Sequence, residues 1–157
     1  MNNSSLEELL EREGRLTYSN VGVSMLPLLR QGRDVFTIEK KTDERCKKYD
    51  VALYRRAPHV YVLHRIVEVR EHDYVFLGDN CVHREYGITD NDILGVMTSF
   101  VHKGRAWHVE DTPYRIYVWL WCHTAWLRIP VKKAWGGLLR RTARLRAPVK
   151  RLLGRRR

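Results

Sequence analysis

Ser24, His64, Asp79 and Glu85 are the side chains of this 157-residue chain whose types can do chemistry together. Ser24 stands in the apolar stretch "GVSMLPLL" (Gly22–Leu29), His64 in "LHRIV", and the two acids in "FLGDNCVHREYGI". A serine hydroxyl is a poor nucleophile near neutral pH and needs an adjacent base. Imidazole, with an ordinary pKa of about 6.5, suits that task, and a carboxylate can fix its tautomer. Serine, histidine and acid are thus the three parts of an acyl-transfer site. Each residue alone has a plainer reading: Ser24 as a turn residue, His64 as a satisfied core side chain, Asp79 and Glu85 as solvated loop acids. Their combination carries the chemical reading, and either acid can be its third member. Cys81 and His83, with His59, His64 and His72 nearby in sequence, match no zinc spacing, so no metal and no cofactor is called for.

The elements that must position these residues are mostly strands. Ser4 or Ser5 can cap a short helix over Leu6–Arg12, which Gly14 ends. Runs rich in β-branched and aromatic residues follow at Asp34–Lys40, Asp50–Arg56, Val60–Val69, Asp73–Asp79 and Ile93–Val101, with a last one in "RAWHVE". "RQGRD", "RAPH", "EHD", "EYGITDND" and "HKGR" separate them as turns, and the short "EHD" turn predicts a hairpin. Glu85 falls in a loop on this reading, and Asp90 and Asp92 read as turn or capping acids. Alternation places His64 on one strand face with Val60, Val62 and Ile66, and Arg65 on the other. The body is expected to be mainly β, a barrel-like or folded sheet of about six strands.

"SMLP", "GRDVFTI", "YDVALY", "LHRIV", "FLGDN" and "ILGVM" occur in that order between Val21 and Val101. The series resembles the boxes of type I signal peptidases and LexA-like self-cleaving proteins: S-M-x-P, G-D-x-V, Lys or His followed by Arg, G-D-N, and Ile-x-Gly-x-Val. Histidine rather than lysine at position 64 is similar to the Ser–His branch of that family. The resemblance implies a signal-peptidase-like fold and a serine endopeptidase with Ser24 as nucleophile and His64 as general base. It places the third, acidic member on Glu85 where the family usually has aspartate, with Asp79 of the "GDN" box as the competing choice. Three departures stand out. Gly22 replaces a hydroxyl residue near the oxyanion site, Arg33 is an extra residue in "GRD", and Tyr49 replaces a glycine. The implied substrate is a peptide or precursor protein. The other reading is a non-catalytic module that keeps this fold and binds a membrane or nucleic acid.

The formal net charge of +11 is uneven. Residues 1–112 hold 16 Lys/Arg against 18 Asp/Glu, and residues 113–157 hold 13 Lys/Arg and no acid. The chain therefore divides into a catalytic domain over 1–112 and a basic amphipathic helical tail over 113–157. In the tail Val131, Trp135, Leu138, Leu139, Thr142, Leu145, Val149, Leu152 and Leu153 fall three or four apart, and Pro130, Gly136-Gly137 and Pro148 should break it into short helices. Its tryptophans and basic residues fit an anionic membrane surface, with nucleic acid as the rival anion. Cys46, Cys81 and Cys122 are odd in number and lack CxxC spacing, which fits reduced thiols. With no signal-peptide pattern and no spanning apolar run, the expected location is cytoplasmic, peripheral on the inner face of the membrane.

Overall fold

The computed structural model describes residues 3–56 and 60–135. It opens with helix α1 (Asn3–Glu13), so Ser4 and Ser5 lie in its first turn rather than capping it. Gly14 ends the helix as expected: its φ is 68° and its N–H bonds to Leu10 O at 2.9 Å, the left-handed cap that glycine adopts without a Cβ penalty.

Eight strands follow: β1 (Arg15–Ser19), β2 (Val35–Lys40), β3 (Val51–Arg56), β4 (Val60–Val69), β5 (Tyr74–Leu77), β6 (Glu85–Ile88), β7 (Ile93–His102) and β8 (Arg105–His108). They form one antiparallel sheet in the order β1-β2-β7-β3-β4-β5-β6, with β8 paired to β7. The chain is mainly β, and the "EHD" hairpin joins β4 to β5 with Arg70 N–H on Asp73 O at 2.9 Å. β1 and β6 exceed the six strands expected. Both are edge strands with largely exposed side chains, so neither carries an apolar run. Glu85 therefore stands at the start of a strand, not in a loop. Asp92 does cap: its carboxylate accepts the Thr89 N–H and hydroxyl, each at 2.8 Å, before β7.

β7 organises the sheet. One of its edges pairs with β2, and the other pairs first with β3 and then with β8. A Cβ at Gly95 would overlap Ile38 and the Glu39 carbonyl, which is why "ILGVM" needs its glycine. Apolar side chains fill both faces. Met25, Leu29, Ile38, Leu53, Leu63 and Met97 lie on one, and Ala52, Tyr54, Ile66, Tyr74 and Phe76 on the other.

Helix α2 (Thr112–His123) belongs with this body. Tyr114 and Val118 join the first core face, and one compact unit runs from Met1 to Cys122. Residues 123–157 are a second unit, in which residues 125–135 are helical. This helix starts at Thr124, whose carbonyl accepts the Leu127 and Arg128 N–H groups, each at 3.0 Å, and runs through Pro130. The break expected at Pro130 is absent there: the helix continues through the proline to residue 135. The periodic positions from Leu138 onward, with Gly136-Gly137 and Pro148, lie outside the described residues, as does His59. Among the described residues no helix is long and apolar enough to cross a membrane.

Candidate active site

Ser24 sits in a turn that its neighbours hold tightly. Met25, Leu28 and Leu29 are buried and pin it to the core. Asn80 donates its backbone N–H to Ser24 O at 2.7 Å and its amide to Val23 O at 2.9 Å. Asn20, also buried, spans the same turn from Gly22 O at 3.1 Å to Leu29 O at 3.3 Å. Carbonyls fixed in this way hold the backbone of the Ser24 turn in one conformation.

His64 projects from the middle of β4, opposite Ala52, on the face it was expected to share with Val62 and Ile66. It is 5% exposed. Its Nδ1 lies 3.1 Å from Glu85 Oε1 and 3.3 Å from the Tyr54 hydroxyl. The other nitrogen faces the serine turn: a Cβ built on Gly78 would lie 2.8 Å from His64 Nε2 and equally 2.8 Å from Ser24 O. Only a glycine lets imidazole and nucleophile turn approach the same point. Gly78→Ala is expected to force them apart; for the acyl-transfer chemistry expected from the sequence, that means peptide cleavage lowered about 10²-fold, the cost of misplacing reacting groups by roughly 1 Å. Steady-state cleavage beside an unchanged far-ultraviolet spectrum checks this.

Burial lowers the His64 pKa, and the nearby Arg56 adds to the effect, while Glu85 opposes both. The ring is therefore neutral at neutral pH, the form a general base needs. Cleavage should rise with pH through a midpoint below the ordinary imidazole value. Removing the cation with Arg56→Gln should move that limb to higher pH, as a pH–rate profile would read.

Glu85 comes from β6, three strands away from β3, yet it is held by β3. Tyr54 donates to its Oε2 at 2.9 Å, Arg56 Nε to the same oxygen at 3.0 Å, and Arg56 Nη2 to Oε1. The sheet from β3 to β6 must curl for these side chains to meet across β4 and β5. Burial works against the charged carboxyl, but the bonds from Arg56 and Tyr54, with His64 beside it, hold its pKa below the usual carboxylate value. An ionised acid that accepts the Nδ1 proton leaves the Nε2 lone pair facing the serine turn.

Asp79 has a different set of partners. Both its oxygens accept from Arg65, each at 2.8 Å, and Tyr117 donates to it at 2.9 Å. Arg65 points away from His64, on the opposite face of β4, and also donates to Tyr49 O and the Tyr114 hydroxyl. Trp121 of α2 donates to the Asp79 carbonyl at 3.1 Å. Of the two acids, Glu85 is the one in contact with the imidazole.

No family model and no curated protein matches this chain.

The geometry thus stands on its own. The structure brings the Ser24 turn, His64 and Glu85 together about Gly78 and ties Asp79 to the buried Arg65. Of the three departures from the box pattern, Gly22 and Arg33 lie in turns. Tyr49 holds a φ of 81°, a conformation that suits glycine and costs other residues of order 1 kcal/mol or more. Its N–H bonds to Ile66 O at 2.7 Å and its carbonyl takes Arg65, so the chain is held in that conformation from both sides. Sequence reasoning missed Asn20, Tyr54 and Arg56. A signal for the last two does exist: they alternate on β3 and face the same side of the sheet.

Proposed function

We propose that the chain is a serine endopeptidase that processes a peptide or precursor protein through an acyl-enzyme. One observation carries this reading: His64 turns Nδ1 to an ionised Glu85 and Nε2 to the Ser24 turn. Ser24 Oγ attacks the peptide carbonyl carbon while His64 Nε2 takes its proton. The tetrahedral intermediate collapses, the C–N bond breaks, and His64 returns the proton to the leaving amine. Water, deprotonated by His64, then hydrolyses the ester. With Gly22 in place of a hydroxyl residue, the oxyanion depends on backbone donors. The Ser24 N–H makes no hydrogen bond among the described residues and is available for that role. An extended segment is the substrate form that suits a site in a β-sheet, where a peptide can be held by strand addition.

The test compares protein N-termini in cells carrying wild type, Ser24→Ala or His64→Ala at equal expression. New termini confined to wild type support the peptidase and name its substrate. Identical termini in all three refute it.

The partner surface we favour is an anionic membrane. Ile116, Trp119 and Leu120 are exposed on α2, where Lys47, Lys48 and Arg115 border a groove beside Trp119. Within the second unit Trp126, Leu127, Val131 and Trp135 are exposed. Interfacial tryptophans with basic residues, each worth roughly 1 kcal/mol near such a surface, suit this partner. The full chain should float with anionic vesicles, stay down with neutral ones, and release as salt rises. Retention by RNA with no preference for anionic lipid would reverse the choice.

A further inference from the structure

A second histidine–carboxylate pair closes the end of β7. His102, the last residue of that strand, sets its Nδ1 3.0 Å from Asp34 Oδ2. Asp34, just before β2, has no side-chain exposure. Arg30 holds it through Nε, Nη2 and its backbone N–H, and Lys103 through its N–H at 3.3 Å. Burial opposes its charge, but these bonds, those of Arg30 above all, hold the carboxyl well below the usual carboxylate range. A carboxylate only accepts, so the shared proton sits on His102 Nδ1 and the lone pair of the neutral ring on Nε2. Nε2 makes no hydrogen bond among the described residues and is not buried.

His102 lines a cavity of about 270 Å³ with Leu28, Phe100, Trp107, Tyr114 and Tyr117. Its wall is aromatic: Phe100 and Tyr114 pack with ring centroids 5.4 Å apart, and the Arg105 guanidinium lies 4.2 Å from the centre of the Trp107 ring. The Tyr114 hydroxyl takes Arg65 and the Tyr117 hydroxyl donates to Asp79, so both are engaged elsewhere. An indole N–H cannot accept. His102 Nε2 is therefore the acceptor these side chains have to offer. Size narrows the occupant: an apolar cavity of about 150 Å³ takes benzene, while drug-sized ligands need about 300 Å³ or more. One aromatic ring with a small substituent falls between those limits.

We propose that this cavity binds a phenol, with its ring against Phe100, Trp107 and Tyr114 and its hydroxyl donated to His102 Nε2. Aromatic walls favour an aromatic ring through offset and edge contacts, and a fixed acceptor selects a ring that carries a donor. The phenol reaches the site as a free compound or as the tyrosine side chain of a peptide. The proposal goes beyond the peptidase reading and does not depend on it, since His64 and Glu85 take no part.

The experiment titrates the purified full chain at mildly alkaline pH with p-cresol, p-methylanisole and p-toluate. NMR of the imidazole and indole signals reads the binding. The expected result is displaced His102 and Trp107 signals and p-cresol bound up to about tenfold tighter than p-methylanisole, which lacks the donor, as one net hydrogen bond supplies. His102→Phe, which keeps a ring there, should bring p-cresol down to the p-methylanisole level. Should that variant fail to fold, the ligand pair on wild type decides alone. N-acetyltyrosinamide separates the sources: binding tighter than p-cresol assigns the phenol to a peptide, weaker binding to a free compound. Three results overturn the proposal: no shift of His102 or Trp107 with p-cresol, equal binding of p-cresol and p-methylanisole, or p-toluate bound tighter than p-cresol. Ser24→Ala should bind p-cresol as wild type does, so failure here and failure of the peptidase are read separately.

Discussion

Glu85→Gln is expected to lower peptide cleavage by about 10⁴-fold while leaving the fold intact, the size of loss seen when an orienting acid becomes an amide. The substitution keeps the shape of the side chain and changes what it offers His64. As a carboxylate, Glu85 only accepts, so the proton sits on Nδ1 and the lone pair on Nε2. An amide can donate to Nδ1 instead, which stabilises the opposite tautomer and puts a proton where the base must have none. It also gives up the charge that Arg56 now neutralises. Glu85 is partly exposed at a sheet edge, so stability should change little. A kcat loss with an unmoved urea midpoint is the expected pair of readings. Full activity would remove Glu85 from the site.

Asp79→Ala should act in the opposite sense, on the fold first. Its side chain is 2% exposed and that of Arg65 1%, so the pair has no solvent to fall back on. Deleting the acid leaves a guanidinium buried among Tyr49, Tyr114 and the core, a situation that costs about 3–5 kcal/mol. The urea midpoint should fall accordingly at a constant denaturant slope. Loss of cleavage without loss of stability would instead make Asp79 the acid that serves His64. Together the two variants separate roles that one acidic motif had left open.

Much of this was legible in the sequence, for identifiable reasons. β2, β3, β4, β5 and β7 show themselves because their side chains pack on both faces, which demands dense runs of β-branched and aromatic residues. β1 and β6 pack on little, and their sequences say correspondingly little. Ser24 and His64 stand in ordered boxes, so they could be found without knowing the curl of the sheet. The preference for Glu85 over Asp79 rested on spacing alone. Its physical basis, the grip of Tyr54 and Arg56, depends on β3 meeting β6 across two intervening strands. No local pattern encodes that meeting. Pro130 shows the reverse case, where a strong local break signal is overridden and the helix runs through it.

The Asn80 amide that closes on Val23 O spans 57 residues of chain. Contacts of this kind form late, because loop closure must be complete before they return any energy. The bonds that shape the Ser24 turn therefore need β4 and β5 paired, so that the turn after β5 that carries Asn80 is in place. A newly made or partly unfolded chain holds Ser24, His64 and Glu85 without their arrangement. On the proposed peptidase reading that timing would be protective: the chain could not cut its neighbours, or itself, until folding had finished.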